Sequence, residues 1–224
     1  AASKFKEAVG KYVEYLKIQL HKSSVNVRMN KTATVEEILK KKPDAVILAA
    51  GANPIIPNIP GMEKIKIMEA TDMLTKGDCP GENVVVLGGG LVGCEAALHL
   101  DYMGKNVTIV EQLNELLLTV KHATNNDLAI KKLLSDSNIK VMTNTLLSSI
   151  DTGKVVVSQN GQNTEIPSDT LVIAVGYQSD KSLEEALDGK IDILVTIGDN
   201  VKPAKVIDAV HQGFHAARLL EELG

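Results

Sequence analysis

Three glycines placed between a run of valines and a helical pattern are the residues best suited to do chemistry. Gly88, Gly90 and Gly93 lie in "NVVVLGGGLVGCEAALHL", residues 83–100, and fit the spacing GxGxxG. The first glycine permits a tight turn, the second lets the backbone approach a pyrophosphate, and the third lets the helix pack on the strand. Backbone N–H groups at the start of the helix then point at the anion. The stretch therefore predicts a loop that binds a dinucleotide.

An acidic residue follows at the distance that such a loop requires. Glu111 ends the next strand pattern, "VTIVE", 23 positions after Gly88, close to the spacing of about 20 residues for a carboxylate that binds the ribose diol. A carboxylate repels a 2′-phosphate, and residues 111–126 contain no arginine to neutralise one. NAD(H) is therefore favoured over NADP(H), although Lys105 or Lys121 could still reach a 2′-phosphate.

The elements around the loop alternate strand and helix, as a parallel sheet requires. The pattern predicts strands at Val84–Leu87, Val107–Glu111, 139–142 and Asp169–Gly176, and helices at Leu91–Met103 and around Asp127–Leu134. Between residues 145 and 166 the apolar period changes to two, with "DTG" and "NG" as hairpin turns. That segment predicts a three-stranded antiparallel meander.

The two ends of the chain read as parts of a second sheet. The patterns there predict helices at Lys4–Leu20, Val35–Lys42 and Val206–Leu223, and strands at Val25–Arg28, Ala45–Ala49 and 193–199. Ala52–Gly61 carries three prolines and is predicted to be an irregular connection between domains. Neither end carries a glycine fingerprint of its own, so the opening strand of this second sheet is expected to be absent.

Composition excludes several classes of function. A net charge of -4, 3% aromatic residues and no tryptophan argue against a nucleic-acid surface. Cys79 and Cys94 form no CxxC pair, and no apolar run reaches the length of a membrane span. His211 and His215 are four apart on a helix but have no evident third ligand, so no metal site is predicted. We expect a cytoplasmic protein with no membrane or nucleic-acid partner.

Four motifs in order resemble the C-terminal FAD/NAD-binding region of the NADH:flavin oxidoreductase, 2,4-dienoyl-CoA reductase and trimethylamine dehydrogenase family, which includes enoate reductases. The first is "GGGLVGCEAA", with Glu95 two residues after the third glycine. "VILAAGANPIIPNIPG" resembles the first crossing between domains of such two-dinucleotide flavoprotein reductases, with Ala50 in place of a threonine. "LVIAVGYQSD" resembles the return crossing, and "TIGDN" resembles the C-terminal FAD motif.

This resemblance implies an α/β fold in which a Rossmann-like NAD-binding domain with an antiparallel meander is inserted into a partial FAD-binding α/β domain. The implied domains are residues 1–70 and 177–224 for the FAD part and 71–176 for the NAD part. The implied NAD-binding residues are Gly88, Gly89, Gly90, Leu91, Val92, Gly93, Glu95, Glu111, Gln112, Val175 and Gly176. The implied FAD-binding residues are Ala50, Gly51, Gly198 and Asp199.

Full-length members of that family also have an FMN-binding barrel, an iron–sulfur cluster and the first half of the FAD domain. None of these has a counterpart in the sequence, so we expect a C-terminal fragment in which FAD, FMN and the cluster belong to a longer protein. NADH would pass hydride to the flavin for reduction of an enoate or enoyl-CoA type of substrate elsewhere. The alternative function is a non-catalytic module that binds a dinucleotide as an NADH sensor or docking subunit.

Two side chains beside the loop have two interpretations each. Glu95 is a candidate for the nicotinamide end of the site by family analogy, or a carboxylate favoured by the helix dipole. It is the only candidate catalytic side chain, because hydride transfer between cofactors needs no nucleophile. Cys94 is either a thiolate whose pKa is lowered at the helix start or a small packing residue.

The interpretation of Glu111 yields a binding prediction. The isolated chain is expected to bind NADH more tightly than NADPH, and Glu111→Ala is expected to narrow the difference, because the carboxylate that repels a 2′-phosphate is then gone. Calorimetric titration of both cofactors measures this. Equal affinities in the unsubstituted chain would contradict it.

Overall fold

The computed structural model describes residues 7–78, 80–118 and 125–223. The chain forms two compact units, one comprising Ala1–Ser23 and Ile55–Gly176 and the other comprising Ser24–Pro54 and Tyr177–Gly224. In chain order the helices and strands are α1 (Glu7–Lys22), α2 (Val35–Lys40), β1 (Val46–Leu48), β2 (Ala52–Pro54), β3 (Lys66–Glu69), α3 (Ala70–Lys76), β4 (Asn83–Leu87), α4 (Leu91–Tyr102), β5 (Asn106–Val110), α5 (Asn125–Ser135), β6 (Lys140–Met142), β7 (Thr145–Asp151), β8 (Lys154–Gln159), β9 (Gln162–Pro167), β10 (Thr170–Ile173), β11 (Tyr177–Ser179), α6 (Ser182–Leu187), β12 (Leu194–Thr196) and α7 (Val206–Leu223).

The first unit is built on a five-stranded parallel sheet. Its strand order is β3-β10-β4-β5-β6, with β4 next to β5 and β10 returning on the other side of β4. The return strand comes from the far end of the unit, after the meander. Because all five strands are parallel, their carboxyl ends meet at one edge of the sheet, which is where ligands bind in such folds.

Both faces of this sheet are buried. On one face, Val84, Val86 and Ile109 pack in a cluster with apolar residues of α3 and α4, including Leu100. On the other face, Val85, Val110 and Leu171 pack with residues of the meander such as Val155. A parallel sheet covered on both sides reads as continuous apolar runs, which is why "VVVL" predicts a buried strand. The α/β class expected from the sequence is confirmed.

The meander β7-β8-β9 is antiparallel, as predicted. The turn between β8 and β9 places Asn160 at φ 51° and Gly161 at φ 78°, the left-handed pair that an Asn-Gly hairpin turn requires. The helix after the glycine loop is also confirmed, with Gly104 at φ 79° just beyond its end.

The second unit is smaller and has two short sheets. β1 pairs with β12 in parallel, and β2 pairs with β11 in antiparallel fashion. Among the described residues of this unit, four are buried: Leu48, Leu187, Asn200 and Ala216. This is a small interior for a unit with three helices and four strands.

Two element predictions were wrong. Val25–Arg28 is not a strand, and both its valines are exposed; a strand must pair with another strand, and this segment belongs to none of the sheets formed by residues 7–78, 80–118 and 125–223. Ala52–Gly61 is not wholly irregular, because β2 lies in it. Pro54 is tolerated there because β2 is an edge strand.

The amino-terminal helix was predicted at Lys4–Leu20, and the structure has α1 at Glu7–Lys22, so Lys4 to Lys6 lie outside the described residues. Every residue from Lys11 to Lys22 is exposed. No helix in the described part of the chain has the length and apolar character needed to cross a bilayer.

The amino end of β4 is held by one carboxylate. Asp169 accepts hydrogen bonds from Glu82 N (3.0 Å), Asn83 N (2.8 Å) and Asn83 Nδ2 (3.2 Å). The hydrogen bond from the Asn83 backbone is the largest of the causes that lower the pKa of Asp169, and together with the other hydrogen bonds it outweighs burial, which raises the pKa. A carboxyl whose pKa is depressed by folding stabilises the fold above its unfolded pKa of about 3.9 and loses that contribution as the pH falls through the folded value.

Asp169→Asn is therefore expected to lower the unfolding temperature near pH 7 and to reduce its fall on acidification below about pH 4. Thermal unfolding followed by circular dichroism between pH 3 and 7 measures both effects. Asp136→Asn is the matched control, since Asp136 is an exposed carboxylate beside the exposed Lys132. An acid dependence that is the same in Asp169→Asn as in the unsubstituted chain would contradict the role of Asp169.

Candidate functional site

The glycine loop lies at the carboxyl edge of the five-stranded sheet, between the ends of β4, β5 and β10. Gly88 N donates to Val110 O (2.9 Å), and Ala174 N donates to Leu87 O (2.8 Å), so the loop begins where three strands end. Gly88 has φ 106°, and a Cβ there would lie 2.5 Å from Ala174 O. Only glycine fits this turn, because the left-handed conformation and the close carbonyl both exclude a side chain.

Gly93 brings α4 into direct contact with the loop. A Cβ at Gly93 would lie 1.9 Å from Gly88 O, a distance that no side chain can occupy. The helix therefore starts against the carbonyl of the first glycine. This is the close helix–strand packing that the third glycine of the motif predicts.

Gly90 differs from the other two glycines. It precedes α4 with φ -72° and ψ -173°, which any residue can adopt, and no atom lies within 4 Å of a Cβ built there. The space in front of Gly90 is open although its neighbours in the loop are closely packed. It is the space that a pyrophosphate needs, so the residues present fit a dinucleotide.

The carboxylate of Glu111 holds the loop from within. Gly89 N donates to Oε2 at 2.6 Å and Leu113 N donates to Oε1 at 2.8 Å, and the residue is only 8% exposed. A carboxylate accepts about four hydrogen bonds in total, so both oxygens retain capacity for ribose hydroxyls. Glu111 thus braces the loop in addition to the ribose role that its position predicts.

The other side of Gly89 is held by two more donors. Leu117 N donates to Gly89 O at 2.9 Å, and Cys94 Sγ donates to the same oxygen at 3.4 Å. A Cβ at Gly89 would lie 2.3 Å from Leu116 Cδ2. Both backbone groups of Gly89 are thus bonded within the protein, and the N–H groups of Leu91, Val92 and Gly93, the first residues of α4, are those that an α-helix leaves without partners inside the helix.

Cys94 is a packing residue. It is fully buried in a cluster with Leu117 and Ile130. Burial, followed by the negative charges of Glu111 and Glu95, raises the pKa of the thiol to about 12. The interpretation as a low-pKa thiolate was wrong, because burial and both neighbouring carboxylates raise the pKa, and among the described residues no cation offsets them.

Glu95 occupies the fifth position of α4 and is buried. The helix dipole acts mainly on the first turn, and no acidic residue of α4 lies there. The dipole interpretation of Glu95 therefore loses its basis, which leaves the nicotinamide-end interpretation as a proposal.

The remaining predicted residues are divided between the two edges of the sheet. Gln112 is exposed beside Glu111, and Val175 is 38% exposed just after β10, before Gly176 at φ 110°. Lys105, by contrast, precedes β5, and its Nζ is 3.3 Å from Glu82 Oε2. The rise along β5 separates it from Glu111 by about 20 Å, so it does not reach a 2′-phosphate bound there. Lys121 lies outside the described residues.

The predicted flavin residues lie together in the second unit. Leu48 of β1 is in register with Thr196 of β12, so Ala50 and Gly51 leave the sheet at the same edge as Gly198 and Asp199. Gly198 adopts φ 64°, and its N–H donates to Gln212 Oε1 at 2.6 Å. This is the carboxyl edge of a parallel pair, the place where α/β sheets bind nucleotides.

Sequence reasoning missed Asn200. It is 1% exposed, and its side-chain amide bonds the backbone at two distant positions, Ala50 and Asp180. An asparagine after Gly-Asp gives no sequence signal of this arrangement, because both partners lie far along the chain.

Within the described residues, no three His, Cys, Asp or Glu side chains converge as a metal ion would require.

Leu117 is a buried leucine (5% exposed) at φ 62°, a conformation that costs a non-glycine residue about 1–2 kcal/mol. Leu117→Ala and Leu117→Gly both remove the packed side chain, but only glycine relieves the backbone strain. Leu117→Gly is therefore expected to be more stable than Leu117→Ala by about 1 kcal/mol, measured by urea unfolding.

The control pair is Leu100→Ala and Leu100→Gly, at a buried leucine inside α4. There the alanine variant is expected to be more stable by about 1 kcal/mol, as in any helix interior. The same order at both positions would contradict the strained conformation of Leu117.

Comparisons with known proteins agree with this geometry. The chain is 35% identical to an NADH oxidase of Thermoanaerobacter brockii over 97% of its own length and 34% of that protein. It is 34% identical to a cinnamate reductase of Clostridium sporogenes over 87% of the chain and 29% of that protein. A solved 2-naphthoyl-CoA reductase matches with a TM-score of 0.85 and 27% identity, over 95% of this chain and 32% of the other.

The chain thus spans about a third of the length of these relatives. A family model described as pyridine nucleotide-disulphide oxidoreductase matches residues 1–196, a range that contains the glycine loop, Glu111 and both crossings. Because this model matches most of the sequence, the chain belongs to the pyridine nucleotide-disulphide oxidoreductase family.

Proposed function

We propose that the chain is the NADH-oxidising module of a flavin-dependent oxidoreductase. The observation that carries the proposal is the open space in front of Gly90, at the start of α4 and next to Gly89, whose N–H the carboxylate of Glu111 accepts. Members of the family use FAD and NAD(H). NADH supplies a hydride and FAD accepts it, so the side chains need only bind and orient the two cofactors.

Each residue at the carboxyl edge of the first unit has a role in this proposal. The N–H groups of Leu91, Val92 and Gly93 bind the pyrophosphate in front of Gly90, where the helix dipole favours negative charge. The ribose binds to Glu111, beside the exposed Gln112. Val175 and Gly176, at the end of β10, and the buried Glu95 in α4 flank the nicotinamide end.

The site favours NADH over NADPH. The two backbone hydrogen bonds to Glu111 fix its carboxylate, so it cannot turn away from a 2′-phosphate without losing them. Lys105, the described lysine that the sequence offered as a counter-charge, is at the opposite edge of the sheet. Glu111→Ala removes both the negative charge and the hydrogen bond that Gly89 N donates to the side chain. Glu111→Gln tests the charge more specifically, because one side-chain oxygen remains to accept a hydrogen bond and only the negative charge is gone.

The flavin site requires more polypeptide than this chain. Ala50, Gly51, Gly198 and Asp199 form one edge, on a two-stranded sheet in a unit where four of the described residues are buried. We propose that the rest of the FAD domain, and a barrel with FMN and an iron–sulfur cluster, complete the protein. The length of the relatives, about three times that of the chain, supports this.

The final electron acceptor is proposed to be an unsaturated acyl compound of the enoate or enoyl-CoA type. Two of the similar proteins are described as reductases of such compounds, cinnamate and 2-naphthoyl-CoA. The module itself would be indifferent to the acceptor, since its own residues contact only the two dinucleotides.

Two alanine substitutions separate cofactor binding from folding. Gly90→Ala places a methyl group in open space and is expected to change the free energy of unfolding by less than about 1 kcal/mol. It is also expected to weaken NADH binding at least about tenfold, because the methyl group occupies the position of the pyrophosphate. Gly93→Ala forces a methyl group against Gly88 O and is expected to destabilise the fold by about 1–3 kcal/mol or more.

Calorimetric titration with NADH and urea unfolding of both variants are the measurements. Unchanged NADH affinity in Gly90→Ala would exclude this loop as the binding site.

Hydride transfer is tested on the protein that carries this chain in its native host: anaerobic NADH should bleach its flavin absorbance. A flavin that stays oxidised would support a sensing or docking module instead.

A further inference from the structure

The second unit contains one buried polar side chain among its described residues, Asn200. It follows directly after Gly198 and Asp199 in a 3-10 turn, Gly198–Asn200. Buried amides are stable only when their donor and acceptor groups are both satisfied. The partners of Asn200 therefore identify what its side chain holds together.

Both ends of the amide are used, and each bonds a different segment. Oδ1 accepts a hydrogen bond from Ala50 N (3.3 Å), just beyond the end of β1. Nδ2 donates to the backbone oxygen of Asp180, just beyond the end of β11. Asn200 thus joins two segments that are 130 positions apart in the sequence to the turn that contains it.

The neighbouring contacts fix the same turn. Ser179 Oγ donates to Asp199 O at 2.7 Å, and Ala204 N donates to Asp199 Oδ1 at 3.1 Å. Gly198 N donates to Gln212 Oε1 of α7 at 2.6 Å. The turn is therefore held by hydrogen bonds on every side, and Asn200 is the member that reaches the end of β1.

We infer that Asn200 is a positioning residue of the flavin edge: its side-chain amide fixes Ala50 and Gly51 and the Gly198–Asp199 turn in one geometry. The inference rests on the proposed flavin site. Asn200 acts through the backbone segments that it bonds, and it is itself buried. Its role is to set the distance between the two glycine-containing turns before a nucleotide binds, which lowers the ordering required on binding.

Asn200→Asp provides a sharp test, because the two side chains have the same shape. An ionised carboxylate places an oxygen against the backbone oxygen of Asp180, and the repulsion is expected to displace the side chain from Asp180 O and from Ala50 N together. Only the protonated acid can donate there. Asn200→Asp is therefore expected to lose both bonds, including the one from Ala50 N, near neutral pH and to regain them on acidification, whereas Asn200→Ala loses both bonds at every pH.

The charges around this position favour protonation. The titratable groups of the segments next to the turn are Tyr177, Asp180, Lys181, Asp199, Lys202 and Lys205, and those of α7, which contacts the turn, are Asp208, His211, His215, Arg218, Glu221 and Glu222. Hydrogen bonds from Ser182 and Asn53 lower the pKa of Asp180, so it remains ionised in mild acid. Burial and this neighbouring negative charge raise the pKa of the introduced carboxyl, which places the expected recovery between about pH 6 and 4.

Hydrogen exchange of the Ala50 amide, followed by NMR on the labelled chain, measures the bond. At pH 7, exchange is expected to be about tenfold faster in Asn200→Asp than in the unsubstituted chain. After correction for intrinsic rates, the difference is expected to shrink by pH 4.5 in Asn200→Asp and to persist in Asn200→Ala. Asn163→Asp, at an exposed position in β9, is the control for an added charge. An unprotected Ala50 amide in the unsubstituted chain, or no pH-dependent recovery, would overturn the inference.

The second measurement is FAD content in the native protein that carries this chain. Asn200→Asp is expected to retain less than half of the bound FAD at pH 7, from the ratio of flavin to protein absorbance, and to retain more when prepared at lower pH. Full FAD occupancy in Asn200→Asp alongside a lost Ala50 bond would overturn the positioning role. Absence of FAD from the unsubstituted protein would instead contradict the proposed function, while the exchange result would still report on Asn200.

Discussion

The approach of α4 to the carbonyl of Gly88 is the contact on which the first unit depends. A Cβ at Gly93 would lie 1.9 Å from that oxygen, so the helix can start there only because the residue has no side chain. This contact places the amino end of α4 at the carboxyl edge of the sheet. It also sets the helix close enough for small buried residues, Cys94, Ala96 and Ala97, to fill the interface. Larger residues at these positions would displace the helix and with it the N–H groups that we propose bind the pyrophosphate.

The backbone groups of Gly89 are hydrogen-bonded within the protein, whereas the space in front of Gly90 is open. Glu111 occupies the N–H of Gly89, and Leu117 and Cys94 occupy its carbonyl. Little conformational freedom remains to be lost when an anion binds in front of Gly90. Preorganisation of this kind increases affinity by lowering the ordering cost of binding. Leu117 donates its N–H to Gly89 from a strained backbone conformation with a positive φ.

Features that depend on neighbouring residues could be predicted from the sequence. The glycine spacing, the alternation of strand and helix, and the Asn160–Gly161 turn each follow from local conformational preferences. Features that depend on distant partners could not. β3 is a strand because it pairs with β10, more than 100 residues later, and Val25–Arg28 is not one because it joins none of the sheets in the described part of the chain.

Side-chain roles fail to follow from sequence for the same reason. The position of Cys94 near a helix start suggests a reactive thiolate, yet burial and two neighbouring carboxylates give the opposite pKa direction. Lys105 is close to Glu111 in sequence but lies at the other end of a strand.

The two units differ in how large an interior their own residues form. The first buries both faces of its sheet and has the interior of an independent domain. The second buries four described residues, so a nucleotide bound at its edge would add a substantial share of its interior. Binding and stability are then coupled by mass action. On the proposed function, flavin occupancy should depend on the rest of the protein, whereas NADH binding should not.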